Sequence, residues 1–246
     1  MEKKEKNKED KEENKEEKES TKGKREIVVP GEVIASGPHY LPGDYTSREG
    51  NDIIASRFGL VDITDRLVKI IPLAGVYMAR KGNIVIGRVI DITFNGWIID
   101  INAPYLAFLP ISEAGRYVNK ADITQFLDFH DVIAAEVYGV KHRGIDLTMR
   151  KRGLGKLEGG IITVINPSKV PRVIGREGSM VNLIKKETNT NIIVGQNGVI
   201  WVKGDNIESE LLAKEAITFI VERSFVEGLT DEVKKFLERE GKSEGK

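Results

Sequence analysis

The sequence predicts a multidomain α+β protein, and three features carry that expectation. The spacing of apolar residues changes along the chain from strand-like alternation to helical recurrence, Gly and Pro clusters punctuate the changes, and both ends are almost purely charged. Residues 1–25 are nearly all Lys, Glu, Asp, Asn and Ser, with Met1 the sole large apolar side chain, so they form no core and are expected to be disordered or a fluctuating charged helix. Residues 26–77 form a small β-rich unit. Ile27-Val28-Val29, Asp52 to Phe58 and Leu67 to Ile71 read as strands between turns at Pro30-Gly31, Pro42-Gly43 and Gly59. A segment this short buries little by itself and should lean on its neighbour or on another protein.

Residues 78–152 predict a five-stranded barrel. Ile84, Ile86 and Ile90 alternate with polar or small residues; Trp97 to Ile101 and Tyr105 to Leu109 are short strands. Val132, Ala134, Glu136 and Tyr138 then alternate with Ile133, Ala135 and Val137, and Ile145, Leu147 and Met149 with Asp146, Thr148 and Arg150. Residues 153–229 read β-α-α-β-β-α. The strand is Ile161 to Ile165, Pro171 lies in the first turn of a helix through Arg172, Val173 and Ile174, and a second helix runs from Ser179 to about Asn189. Asn191 to Val194 and Val199 to Lys203 form a hairpin across Gly195-Gln196-Asn197-Gly198. A long helix should cover the sheet through Ile207, Leu211, Leu212, Ala216, Phe219 and Ile220. Residues 230–246 are a charged end with one short helix through Val233, Phe236 and Leu237.

Composition excludes several classes. The chain has no Cys, so disulfides and thiolate zinc sites are absent. No apolar signal region opens it, and the longest apolar stretch, residues 70–79, contains Pro72 and Gly75 and is too short to span a bilayer. A soluble cytoplasmic protein with no membrane partner is the expectation. His39, His130 and His142 are scattered without metal-ligand spacing, and Asp62 and Asp65 lie in a turn-rich stretch that a solvated turn explains. No catalytic residue, metal or cofactor is expected. The rival from another class is a nuclease whose acidic residues meet only in three dimensions.

The most informative residues are Gly175-Arg176-Glu177-Gly178, a G-x-x-G between two helices. Glycine lets a sugar-phosphate chain approach the main chain, Ser179 stands at the N-cap position of a helix whose start attracts anions, Arg176 adds a charge, and Glu177 opposes it. No Lys-Ser or Lys-Thr follows Gly178, so a P-loop is excluded. The element order with this loop resembles a type I KH domain, whose loop clamps about four nucleotides of single-stranded RNA beside an apolar groove. The resemblance implies RNA contacts from Arg172, Ile174, Gly175, Arg176, Glu177, Gly178, Ser179 and Lys185, and a groove wall from Val173, Ile174, Val181, Ile184, Ile192 and Val194.

The barrel carries Gly82-x-Ile84-Val85-x-Gly87-x-Val89, Gly96-Trp97-Ile98-Ile99-Asp100, Leu109-Pro110-Ile111-Ser112-Glu113 and Gly144-Ile145-Asp146-Leu147-Thr148-Met149-Arg150. It resembles the OB-fold RNA-binding domain repeated in ribosomal protein S-one. Pro110 replaces the family's usual His, and Asn95 and Ile98 hold its usual aromatic positions, with Phe94 and Trp97 one residue away. Phe94 and Trp97 are therefore the candidate stacking residues, with burial as the ordinary alternative. The formal charge sums to zero, 38 basic against 38 acidic residues, so no global basic field attracts nucleic acid. Locally, Lys141, Arg143, Arg150, Lys151, Arg152 and Lys156 face only Asp146 in sequence and form a stripe that could follow phosphates.

Val29-Pro30-Gly31-Glu32, Pro42-Gly43-Asp44-Tyr45 and Ile54-Ala55-Ser56-Arg57-Phe58-Gly59 resemble the N-terminal domain of exosome cap proteins. With Val170-Pro171-Arg172-Val173-Ile174-Gly175 and Gly228-Leu229-Thr230-Asp231, the three-domain order resembles the archaeal exosome RNA-binding subunits of the Rrp-four type. The Csl-four type carries a zinc ribbon and needs Cys; polynucleotide phosphorylase and NusA have different domain orders. The resemblance implies a non-catalytic cap on a hexameric ring of RNase-PH-like subunits, three copies per ring with or without Csl-four-type neighbours. The N-terminal domain would dock on the ring, and RNA would be threaded inward. The alternative is a free-standing KH/OB factor in translation or transcription.

Overall fold

The computed structural model describes residues 26–116, 118, 123–142, 144–224 and 228–243, so the expectations for 1–25 and for Arg143 fall outside the described residues. The chain forms two compact units, divided between Ala74 and Gly75. The first contains seven strands where the sequence suggested three: β1 (Ile27–Val28), β2 (Val33–Ser36), β3 (Leu41–Pro42), β4 (Thr46–Glu49), β5 (Asp52–Ala55), β6 (Gly59–Thr64) and β7 (Leu67–Pro72). They make two sheets, ordered β1-β6-β7-β3 and β2-β5-β4. The expected strand from Asp52 to Phe58 breaks after Ala55, because β5 and β6 belong to different sheets and the chain must turn between them.

The core of this unit is small: Val28, Ala55 and Ile70, backed by Ile34, Tyr45 and Val61. Since Val61 and Ile70 pair and point inward, the alternation puts Leu60 with Ile71 and Asp62 with Lys69 on the opposite face. Asp62 thus sits in a strand, 3.0 Å from Lys69, and not in a turn. Ile27 beside Leu60 and Leu41 beside Leu67 extend this outer face, which leaves Ile27, Leu41, Leu67 and Ile71 exposed.

In the second unit, β8 (Ile84–Thr93), β9 (Gly96–Asp100), β10 (Ala107–Pro110), β11 (Val132–Lys141) and β12 (Gly144–Thr148) run in the order β12-β10-β9-β8-β11, and the β11–β12 pairing closes the barrel. Strand β13 (Gly155–Leu157) pairs with the start of β11. The third barrel strand begins at Ala107 and not at Tyr105, since its pairing with β9 starts at Ala107 opposite Ile99; Tyr105 and Leu106 are exposed. Inward residues alternate as expected on β11 and β12. On β8 the inward set is Val85 and Val89 and not the expected Ile84, Ile86 and Ile90, because Ile86 packs against Trp201 on the other side and Ile90 is exposed. Val85, Val89, Ile99, Leu109, Ile133, Val137 and Leu147 share one core. Tyr77 packs in that same core. Its hydroxyl donates to Asn83 Oδ1 at 2.9 Å, and burial pushes its pKa up to about 12.

The remainder is the β-α-α-β-β-α unit: β14 (Ile161–Val164), α1 (Val170–Ile174), α2 (Ser179–Thr188), β15 (Asn191–Val194), β16 (Val199–Lys203) and α3 (Ile207–Glu222), followed by α4 (Leu229–Ser243). Its sheet is ordered β14-β16-β15. Asn206 caps α3 by accepting from the Ser209 N–H at 2.8 Å. Leu212, Ala213, Ala216, Ile217 and Ile220 form the buried stripe of α3; Ile207 and Leu211, expected to cover the sheet, lie on another side and are exposed. Helix α4 is longer than the sequence suggested and belongs to the core, with Val233 and Leu237 buried and Phe236 stacked on Phe219 at 4.8 Å.

The turn Gly195-Gln196-Asn197-Gly198 does more than close a hairpin. Asn197 is fully buried: its amide Nδ2 donates to Ile86 O at 2.7 Å and Ile101 O at 2.8 Å, and its Oδ1 accepts from Ile86 N at 3.3 Å. Gln196 exchanges two more bonds with Ile84, backbone N–H to Ile84 O at 2.8 Å and Ile84 N–H to Oε1 at 2.7 Å. Trp201, Ile193 and Val199 on the sheet then pack with Ile86, Ala134, Val132, Leu154 and Leu157 on the barrel side. The sheet is sandwiched, helices on one face and barrel on the other. Replacing Asn197 with Ala should lower the unfolding free energy by about 3 kcal/mol, because two carbonyls and an amide lose partners in a buried place. Asn197→Asp should be at least as costly, since a carboxylate would face two carbonyl oxygens. Chemical denaturation of the full chain reads both; an unchanged midpoint for either variant would refute the account.

Candidate nucleic-acid interface

Helix α1 ends where Gly175 turns to φ 73°, the loop continues through Glu177 at φ 54°, and Gly178 at φ 80° precedes α2. The two glycines have different tasks. A Cβ on Gly175 would lie 2.7 Å from both Met180 Cβ and Met180 N, so the loop closes directly on the start of α2. A Cβ on Gly178 would meet nothing nearer than Asn182 Nδ2 at 3.5 Å; only its backbone conformation asks for glycine. Arg172, Arg176, Glu177 and Ser179 are exposed around this opening, and Ile174 is half-buried.

Two expectations change here. Ser179 does not cap α2: it already has helical dihedrals, and left-handed Gly178 occupies the cap position without a side-chain bond. The amides of Gly175, Gly178 and Ser179 donate internally, to the carbonyls of Pro171, Gly175 and Arg176, so these three do not grip a phosphate. The positive charge at this opening comes from Arg176, Arg172 and the N-terminal end of α2. Of the expected groove wall, Val173, Ile184 and Ile192 are core residues, leaving Ile174, Val181 and Val194 half-open. Lys185, one turn beyond Val181, is partly buried, and desolvation holds its pKa below the usual lysine value.

On the barrel, Trp97 is fully buried, its indole N–H donating to Leu127 O at 2.9 Å and its ring 5.6 Å from Phe126. It is a core residue and offers no face to a base, which corrects its place among the candidates. Phe94 is the opposite case. At the tip between β8 and β9 it is 91% exposed. Phe108, which the sequence reading missed, is half-buried on the outer side of β10 opposite Ile98, beside Gly96. Its signal was the alternation between buried Ala107 and Leu109.

The basic stripe is largely neutralised by acids distant in sequence. Lys141 pairs with Asp146 at 2.7 Å, Arg150 with Glu113 at 3.2 Å, Lys151 with Glu136 at 3.3 Å, and Lys156 with Asp131 at 2.7 Å. Arg150 also donates to the Ser112 carbonyl at 2.8 Å. Arg152 stays exposed with no ion pair among the described residues. Among those residues no group of three or more His, Cys, Asp or Glu could hold a metal, and no helix is long and apolar enough to cross a membrane.

A closed five-stranded barrel fused to a KH unit with an open glycine loop defines an RNA-binding protein of OB–KH type. Family models agree segment by segment: the N-terminal domain of the exosome RNA-binding protein RRP4 over residues 25–74, the RRP4 S1 domain over 76–139 and a KH domain over 160–208. The chain belongs to the Rrp4 family of exosome complex components. It is 47% identical over 219 residues to the exosome complex component Rrp4 of Pyrococcus horikoshii, covering 87% of this chain and 82% of the relative. To that of Thermoplasma acidophilum it is 39% identical over 223 residues, covering 90% and 94%. A crystal structure described as that of an exosome complex RNA-binding protein superposes with a TM-score of 0.63 at 36% identity, over 69% of this chain and 99% of that one.

Gly178→Asp should weaken RNA binding by more than about tenfold while costing only about 1–2 kcal/mol of stability, since it adds a negative charge to the opening and strains one residue without a clash. Anisotropy with a labelled RNA, run beside thermal melts, checks this; undiminished affinity would remove the loop from the interface. Neutralising Arg150, Lys151 and Arg152 together should reduce the salt slope of binding by about one, not three, because two of the three cations already have partners. A reduction near three would show that the ion pairs open when RNA binds.

Proposed function

We propose that the chain is a non-catalytic cap subunit that captures single-stranded RNA and guides its 3′ end into a hexameric ring of RNase-PH-like subunits for 3′-to-5′ degradation or tailing in the cytoplasm. The observation that carries this reading is the locked pairing of barrel and KH unit, with the Gly175–Gly178 loop left open beside exposed Arg172 and Arg176. A rigid pair presents two RNA-binding surfaces at a fixed spacing, which suits a strand that must be delivered to one place. Three copies on a ring would add avidity, since each further clamp acts at high effective concentration without new contacts.

Docking on the ring falls to residues 26–74, since Tyr77 packs in the barrel core. Their core is too small to stabilise them alone, and the outer sheet face carries Ile27, Leu41, Leu67 and Ile71 around the Asp62–Lys69 pair. Such a face, apolar with one matched ion pair, suits burial against another protein. Affinity capture from native lysate should recover two RNase-PH-like chains with the full-length protein and lose them when residues through Ala74 are deleted, while the remaining chain still binds RNA. The purified chain alone should bind RNA and leave it intact with magnesium or phosphate. Cleavage by the pure chain, or a monomer in lysate, would overturn the proposal.

A further inference from the structure

We infer that Tyr138 is a stacking platform for one base of the bound RNA, with Lys81 beside it for a neighbouring phosphate; this rests on the RNA-binding reading and adds a contact that neither the glycine loop nor Phe94 supplies. Strand β11 pairs with β8 as far as Glu136 opposite Ile84, and with β12 at Val137 opposite Leu147 and then Gly139 opposite Asp146. Tyr138 falls in the gap. It is the extra residue of a β-bulge, with no partner on either neighbouring strand, and such bulges re-aim a side chain. Tyr138 is 59% exposed.

The charges around it favour a nucleotide. Lys81 Nζ lies 5.8 Å from the ring centroid and has no ion pair among the described residues. The two nearby acids are already matched, Glu136 by Lys151 at 3.3 Å and Asp146 by Lys141 at 2.7 Å. Among the described residues, a phosphate arriving beside Tyr138 therefore meets a cation with no ion pair, and the acids flanking the bulge already have partners. An aromatic face with one free ammonium matches the alternation of base and phosphate along a single strand. A protein partner would call for a broader apolar surface, and beside Tyr138 on β11 only Val140 is comparably exposed. The placement is also apt: Ile84, across from Glu136, takes the Gln196 N–H, so Tyr138 stands two residues beyond the seam that joins barrel to KH unit.

The test uses the full chain with a short fluorescein-labelled single-stranded RNA. Tyr138→Ala should weaken binding by at least about fivefold, the lower end of what one base stack supplies, whereas Tyr138→Phe keeps the ring and should bind like wild type. Lys81→Gln should make the salt dependence shallower by about one unit of slope. Melting curves separate folding from binding, because Tyr138 and Lys81 are both exposed and should tolerate all three changes. Photo-crosslinking with 5-iodouridine RNA, mapped by mass spectrometry, should attach to Tyr138. If Tyr138→Ala binds as tightly as wild type while Gly178→Asp loses binding, this inference falls and the general reading stands. A wild-type chain that binds no RNA sinks both.

Discussion

The geometry of the larger unit depends on the carboxamide of Asn197. The two carbonyls that accept from it, Ile86 O on β8 and Ile101 O just past β9, belong to different parts of the barrel, so one side chain fixes the KH sheet in two directions. Buried away from water, these bonds are both stronger and less dispensable than surface ones. Trp201 and its neighbours then find Ile86 and Ala134 already in place, and apolar contact completes what the amide positions. The glycine loop hangs from this frame through α1 and α2, which pack on the same core as the sheet.

Neutrality has a structural counterpart. A chain with as many acidic as basic residues could still display a basic track, but here Glu113, Glu136 and Asp131 reach the cations that sequence left unopposed. Exposed pairs of this kind contribute little stability. They do reduce the unmatched positive charge along this stripe, while Arg172 and Arg176 stand exposed beside the glycine turn and Lys81 beside the Tyr138 ring. On the proposed reading, selectivity for single strands would rest on shape and stacking more than on bulk charge.

How far the sequence could be read depended on how local the cause was. Strand alternation in the barrel, the Asn-Gly turn and the two helices flanking G-x-x-G were legible because each follows from neighbours in the chain. Trp97 was misplaced because its indole partner, the Leu127 carbonyl, is thirty residues away and invisible to spacing. The ion pairs of the stripe and the grip of Asn197 on the barrel were hidden for the same reason. Ser179 reads as a helix cap in isolation; only the dihedrals of Gly178 show that the turn is already made. In the first unit β2, β3, β4 and β6 went unread; β2, β3 and β4 span only two to four residues and leave little period to detect, and β6 starts at the Gly59 that read as a turn.

Helix α4 bears on where the KH unit ends. The β-α-α-β-β-α pattern is complete at Glu222, yet Leu229, Val233 and Leu237 belong to the same apolar core as Ile217 and Ile220, and Phe236 shields Phe219. An excised fragment trimmed to the minimal motif would bare that aromatic flank along with part of its interior. Such a piece would tend to self-associate, and its stickiness would say nothing about how the intact molecule handles its ligand.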